Sequence, residues 1–172
     1  MTIDLANYTE LTSVQQRLLD LKFSPDHRGH SIITYYYEDI AVDIMPADDS
    51  AVGISNRWYK LGLEHVQEIQ LDNELIIRIF TSRYFLATKF DAFKDRGNGD
   101  YRGSHDVEDI IYVLNNRTTI VEEISNSDDD VKIYLKAELA KLINHQQSAE
   151  ILSMHIHPII AGKRIHNAFG KN

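Results

Sequence analysis

The stretch from Tyr84 to Arg117, YFLATKFDAFKDRGNGDYRGSHDVEDIIYVLNNR, constrains the fold of this chain more than any other. Its pattern predicts two helices joined by a glycine-rich polar loop. In the first helix Leu86, Phe90 and Phe93 recur at i, i+4 and i+7, the spacing of one buried stripe. At about 100° per residue, Lys89 and Arg96 fall within roughly 20° of each other on the border of that stripe. Gly97-Asn98-Gly99-Asp100 ends the helix with glycines that accept positive φ, and Ser104 or Asp106 can cap the next one. There Val107, Ile110, Ile111 and Leu114 make the apolar face. Asp106 and Asp109 lie a turn apart near its start, so Lys89, Arg96, Asp106 and Asp109 can share one cleft.

The rest of the chain predicts a mixed α/β (α+β) domain. Its 172 residues suffice for one domain with a proper core, sheet-rich over 1–80 and helical over 81–172. Thr2 to Leu5 reads as a short strand, which at the very start of a chain suggests either a truncated domain or a start site placed inside a longer reading frame. A helix over Glu10 to Lys22 turns Leu11, Val14, Leu18, Leu19 and Leu21 toward the core. Strands follow at Ser31–Tyr37 and Ile40–Met45, then a polar loop, with Ser55 or Asn56 capping a short helix from Trp58 to His65. Val66–Leu71 and Glu74–Phe80 make a hairpin around Asp72-Asn73. Helices are expected over Thr118–Ile124, Val131–Ile143 and Ala149–Met154, with the acidic run Ser125 to Asp130 as a solvated linker. Strand alternation puts Ile40, Val42 and Ile44 on one face and Asp43 on the other, as Asp4 lies opposite Ile3 and Leu5. If the two strands are neighbours, both carboxylates emerge from one face.

Composition excludes several classes. No apolar run approaches the ~20 residues of a membrane span and no signal sequence opens the chain, which places it in the cytoplasm. The absence of cysteine excludes disulfides and thiolate metal sites. A net charge of −8 disfavours non-specific nucleic-acid binding. Against that trend, Arg78 to Arg102 holds six basic residues and three acidic ones, a local patch able to take a nucleotide or an RNA end. Tyr35, Tyr36 and Tyr37 can stack a base, although strand formers divided between core and surface explain them as well. His155 and His157 would share one side of a strand with His166 near in sequence, but no carboxylate joins them at zinc-ligand spacing.

FLATKFDAFKDRG…SHDVEDII, together with VDIMP and SNRWY upstream, resembles the nucleotidyltransferase-like family that includes the AbiEii-type toxins of toxin–antitoxin systems. Members of that superfamily share a Gly-Ser/Thr turn, an Asp-x-Asp strand and a third carboxylate. Here only the second aspartate of the pair has a counterpart, and the turn is absent. The resemblance implies a small mixed sheet with helices on one face and a helical C-terminal half. It also implies magnesium-dependent transfer of a nucleoside monophosphate from a nucleoside triphosphate (NTP) to an RNA end, such as that of a tRNA, or to a protein side chain. Two magnesium ions about 3.5–4 Å apart can hold the attacking and leaving oxygens of such a displacement. The resemblance assigns Asp4 and Asp43 to metal, Lys89 and Arg96 to the phosphates, and Asp106 to the acceptor, as a base or an orienting group. For Lys89 and Arg96 the plain alternative is a head group in water along the helix border, and for Asp106 a helix cap. A catalytically inactive relative that keeps the scaffold for binding or regulation, and a site completed by a second subunit such as an antitoxin, are the competing expectations.

Overall fold

The computed structural model describes residues 2–3, 8–26, 33–47, 56–72 and 74–156. They form an α+β protein whose strands lie in its first half and whose C-terminal half is helical. The chain divides into two compact units, Met1–Ile79 and Phe80–Asn172, which are taken separately.

In the N-terminal unit, β1 (Thr2–Ile3) runs parallel to β5 (Met45–Pro46). α1 (Tyr8–Asp20) ends just before Lys22, which takes a φ of 70°. The predicted helix therefore stops two residues early. Leu11 and Leu18 are buried as expected, whereas Leu19 and Leu21 are exposed, because Leu19 lies about 100° around from Leu18 and Leu21 is past the helix end. β2 (Ser24–Pro25), β3 (Thr34–Tyr37) and β4 (Ile40–Asp43) form an antiparallel sheet in that order, with Tyr35 opposite Val42 and Thr34 opposite Asp43. Leu18, Tyr35 and Ile44 make the core here, with Val14, Phe23 and Val42 packed on it. Tyr36 is half-buried and Tyr37 lies against Phe23, ring centroids 5.1 Å apart, so the tyrosine run is divided between core and surface.

The strand predicted over Ile40–Met45 is interrupted at Ile44. Its backbone N–H bonds to the Ile33 carbonyl, and the chain then leaves β3 to pair with β1. α2 (Tyr59–Glu64) follows a turn in which Asn56 Oδ1 accepts from the Trp58 N–H at 3.1 Å. β6 (Val66–Gln70) and β7 (Ile76–Phe80) are neighbours, joined where Asp72 Oδ1 accepts from the N–H groups of Glu74 and Leu75. The described strands thus lie in three small sheets. Ser31, Ser55 and Asn73 lie outside the described residues.

The C-terminal unit is built on α3 (Ser82–Arg96), on which α4 (His105–Asn116), α5 (Ile120–Ser125) and α6 (Asp129–Ile143) all pack. α7 (Ser148–His155) packs on α4. The stripe read from the sequence is the buried face of α3: Leu86, Phe90 and Phe93 are all enclosed, as are Val107, Ile110 and Ile111 of α4. Leu114 is half-buried.

Two expectations change here. Asp128 is the N-cap of α6 and Asp129 and Asp130 fill its first turn, so the acidic run begins a helix, where the macrodipole favours negative charge, instead of forming a free linker. His155 ends a helix and not a strand.

The α3–α4 loop depends on two glycines for different reasons. Gly99 has φ +75°, as predicted. Gly97 has an ordinary φ of −78°, and what it supplies is room: a Cβ there would overlap the Phe93 ring and stand 2.5 Å from its carbonyl oxygen.

Candidate functional site

Four charged side chains meet between α3 and α4. Lys89 and Arg96 come from one flank of α3 because seven residues make nearly two turns. Asp106 stands in the first turn of α4, and Asp109 follows one turn later. Arg96 forks onto Asp106, its Nε donating to Oδ2 at 2.9 Å and its Nη2 to Oδ1 at 2.8 Å. Lys89 Nζ lies 3.4 Å from the same Oδ1 and 2.5 Å from Asp109 Oδ2. The planar guanidinium matches a carboxylate edge, so this two-point contact fixes direction as well as distance.

Burial is graded across the cluster. Asp106 is 3% exposed, while the side chains of Lys89, Asp109 and Arg96 are 24%, 46% and 68% exposed. Burial pushes the Asp106 carboxyl upward in pKa. The hydrogen bonds and charge of Arg96, followed by those of Lys89, outweigh that push and hold it below the usual carboxylate range. A carboxylate so firmly ionised is a poor proton acceptor at neutral pH, so its chemistry is that of an orienting anion. The cap role is not taken either. Ser104 occupies the N-cap position of α4 without a side-chain cap hydrogen bond, and Asp106 reaches across to α3.

Within the C-terminal unit, four of the basic residues between Arg83 and Arg102 pair with carboxylates. Besides Lys89 and Arg96, Lys94 pairs with buried Glu138 at 2.6 Å and Arg102 with Glu150 at 2.7 Å. Arg83 lies over the Tyr84 ring at 5.6 Å. The excess of positive charge in the sequence is therefore met by carboxylates from α4, α6 and α7.

Asp43 belongs to the N-terminal unit. It ends β4 on the face away from Val42 and the Tyr35 cluster, exposed, and its Oδ1 accepts from Thr34 Oγ1 at 2.6 Å. Asp4 lies outside the described residues, as do His157 and His166. Among the described residues no group of three His, Cys, Asp or Glu side chains converges as a metal site. Asp43 by itself offers one hard oxygen ligand and does not make a two-ion centre. His155 Nε2 is 3.2 Å from the Tyr101 carbonyl oxygen.

No family model, curated protein or solved structure matches this chain.

Sequence periodicity did not find the residues that support the site from behind. The Tyr101 ring is tilted against both Phe93 and His145, with ring centroids 4.6 and 4.8 Å away. Glu138 and Glu150 come from helices distant in sequence, where a lone Glu on a polar flank carries no distinguishing signal.

Proposed function

We propose that this chain is a nucleotidyltransferase-like protein whose C-terminal unit takes the triphosphate of an NTP at Lys89, with Arg96 and Asp106 fixing the lysine's surroundings. The graded burial of the cluster carries the reading. Lys89 is held from within by enclosed Asp106 and on its outer side by half-exposed Asp109. A phosphate oxygen can replace Asp109 at the ammonium while Asp106 stays covered and bonded to Arg96. In the reaction, a nucleoside monophosphate joins an acceptor oxygen and pyrophosphate leaves, the acceptor being an RNA end, such as a tRNA, or a protein side chain. Magnesium would arrive with the nucleotide, since it takes many of its ligands from phosphates and water. The reading places the protein in the cytoplasm, with an antitoxin or second subunit as its protein partner. Among the described residues no helix is long and apolar enough to cross a membrane.

The test is binding of each α-labelled NTP, followed by label transfer to total RNA and protein. Lys89→Ala is expected to weaken triphosphate binding by about tenfold to a hundredfold, the loss of one charge-assisted contact. Asp109→Ala is expected to strengthen it by about two- to fivefold, because the lysine loses a competing partner that, being exposed, holds it weakly. Unchanged affinity in both variants would sink the reading. Binding without transfer supports the second reading, a catalytically inactive binding or regulatory protein. The balance of two cations against two carboxylates, which leaves no net charge at the site, favours that alternative.

A further inference from the structure

The loop between α3 and α4 determines whether Arg96, the last residue of one helix, can reach Asp106 in the first turn of the next. That loop is fixed at its centre from outside. Tyr101 lies midway in sequence between Arg96 and Asp106, and its ring sits between Phe93 of α3 and His145, just beyond α6. Its carbonyl oxygen meets His155 Nε2 of α7 at 3.2 Å, and the next residue, Arg102, pairs with Glu150 of α7 at 2.7 Å. Within the loop, Asp100 Oδ1 accepts from the N–H groups of Arg102 and Gly103, both at 3.0 Å, which closes the turn around the tyrosine.

We infer that Tyr101 is a positioning residue that acts through Arg96: it holds the loop against α6 and α7 so that the guanidinium of Arg96 meets both oxygens of Asp106. The inference goes beyond triphosphate binding, because it assigns the last two described helices a part in setting the site. Its consequence for nucleotide affinity rests on the reading proposed above.

The chemistry selects the ring and not the hydroxyl. Tilted ring contacts of this kind contribute about 0.5–1.5 kcal/mol beyond area burial, and phenylalanine preserves them. Tyr101→Ala removes both ring contacts and leaves the loop tied to α7 alone, by the ion pair of Arg102 and the backbone carbonyl that meets His155. Arg96 has its side chain largely exposed, and its two-point contact with Asp106 sets the direction of its guanidinium.

The experiment follows the Arg96 Nε–H resonance and the titration of the Asp106 carboxyl by NMR, in the full chain and without nucleotide. In the wild type the Nε–H should exchange slowly and Asp106 should titrate below an ordinary aspartate. In Tyr101→Ala, with helical content retained by circular dichroism, the Nε–H exchange should accelerate tenfold or more and Asp106 should titrate higher than in the wild type. Tyr101→Phe should behave as the wild type. His145→Ala, which removes one ring and leaves the loop sequence intact, should move both signals in the same direction by less; it is the deciding variant if Tyr101→Ala does not fold. A folded variant lacking either ring contact whose Arg96 and Asp106 signals match the wild type overturns the inference. Titrating the wild type with ATP, GTP, CTP and UTP separates this from the proposed function. Failure to bind any of them would dismiss the triphosphate reading while leaving the positioning result intact.

Discussion

Asp106→Ala is expected to destabilise the protein by about 2–3 kcal/mol in urea unfolding. Removing one partner of an enclosed ion pair leaves the other charge uncompensated, a loss of about 3–5 kcal/mol where both partners are sealed from water. Here Arg96 can turn outward and Lys89 keeps Asp109, so the lower figure applies. The same carboxylate governs part of the acid response. Its folded pKa is depressed, so its contribution is complete above its unfolded pKa of about 3.9 and disappears as pH falls through the lower folded value. Glu123 and Glu138 are depressed as well, each with burial opposing and hydrogen bonds prevailing, from Thr119 and Arg117 in one case and from Lys94 and Lys141 in the other. The wild type should therefore lose stability below about pH 4. Asp106→Ala should lose less over that window, its deficit relative to wild type shrinking as the pH falls. A constant deficit between pH 7 and pH 3 would show that the ion cluster does not stabilise the fold.

Leu86→Ala is the second large effect, expected at about 2–5 kcal/mol. Leu86 is fully enclosed on α3, the helix on which α4, α5 and α6 all pack, and shortening it opens a void that those three helices must tolerate together. The measurement is the urea midpoint of the full chain with the slope compared between proteins, since a changed slope would mean a changed transition and not a simple loss of stability. A loss under about 1 kcal/mol would mean that the helices close over the gap. Because Leu86 and Lys89 lie one turn apart, the same variant shows whether the site tolerates movement of its supporting helix.

Much of the C-terminal unit is legible in the sequence. The stripe of Leu86, Phe90 and Phe93 has the helical period, and that period alone brings Lys89 and Arg96 to one flank. The meeting with Asp106 and Asp109 followed from a short loop between two helices that bury facing stripes. The support behind it was not legible, since no spacing connects Tyr101 with His145 or Arg102 with Glu150; those contacts arise only once α6 and α7 have folded back. In the N-terminal unit the alternation of Val42 and Asp43 was sound, but the change of partner at Ile44 was not visible. An apolar run reads the same whether it stays with one neighbouring strand or moves to another. The acidic residues 128–130 were misread because composition suggests solvent, whereas their position before an apolar period marks a helix start.

The balance of charge at the cluster has a kinetic consequence. Lys89 and Arg96 are offset by Asp106 and Asp109, so the site projects almost no field of its own into solution, and the molecule around it carries a net charge of −8. An incoming polyphosphate would feel the repulsion of the whole protein before the attraction of a single lysine. Its encounter rate should then rise as added salt shortens the reach of that repulsion, to about 8 Å at physiological ionic strength. A protein that draws its anion down a basic funnel would show the opposite dependence, and the sign of the slope distinguishes an anion held at close range from one steered from afar.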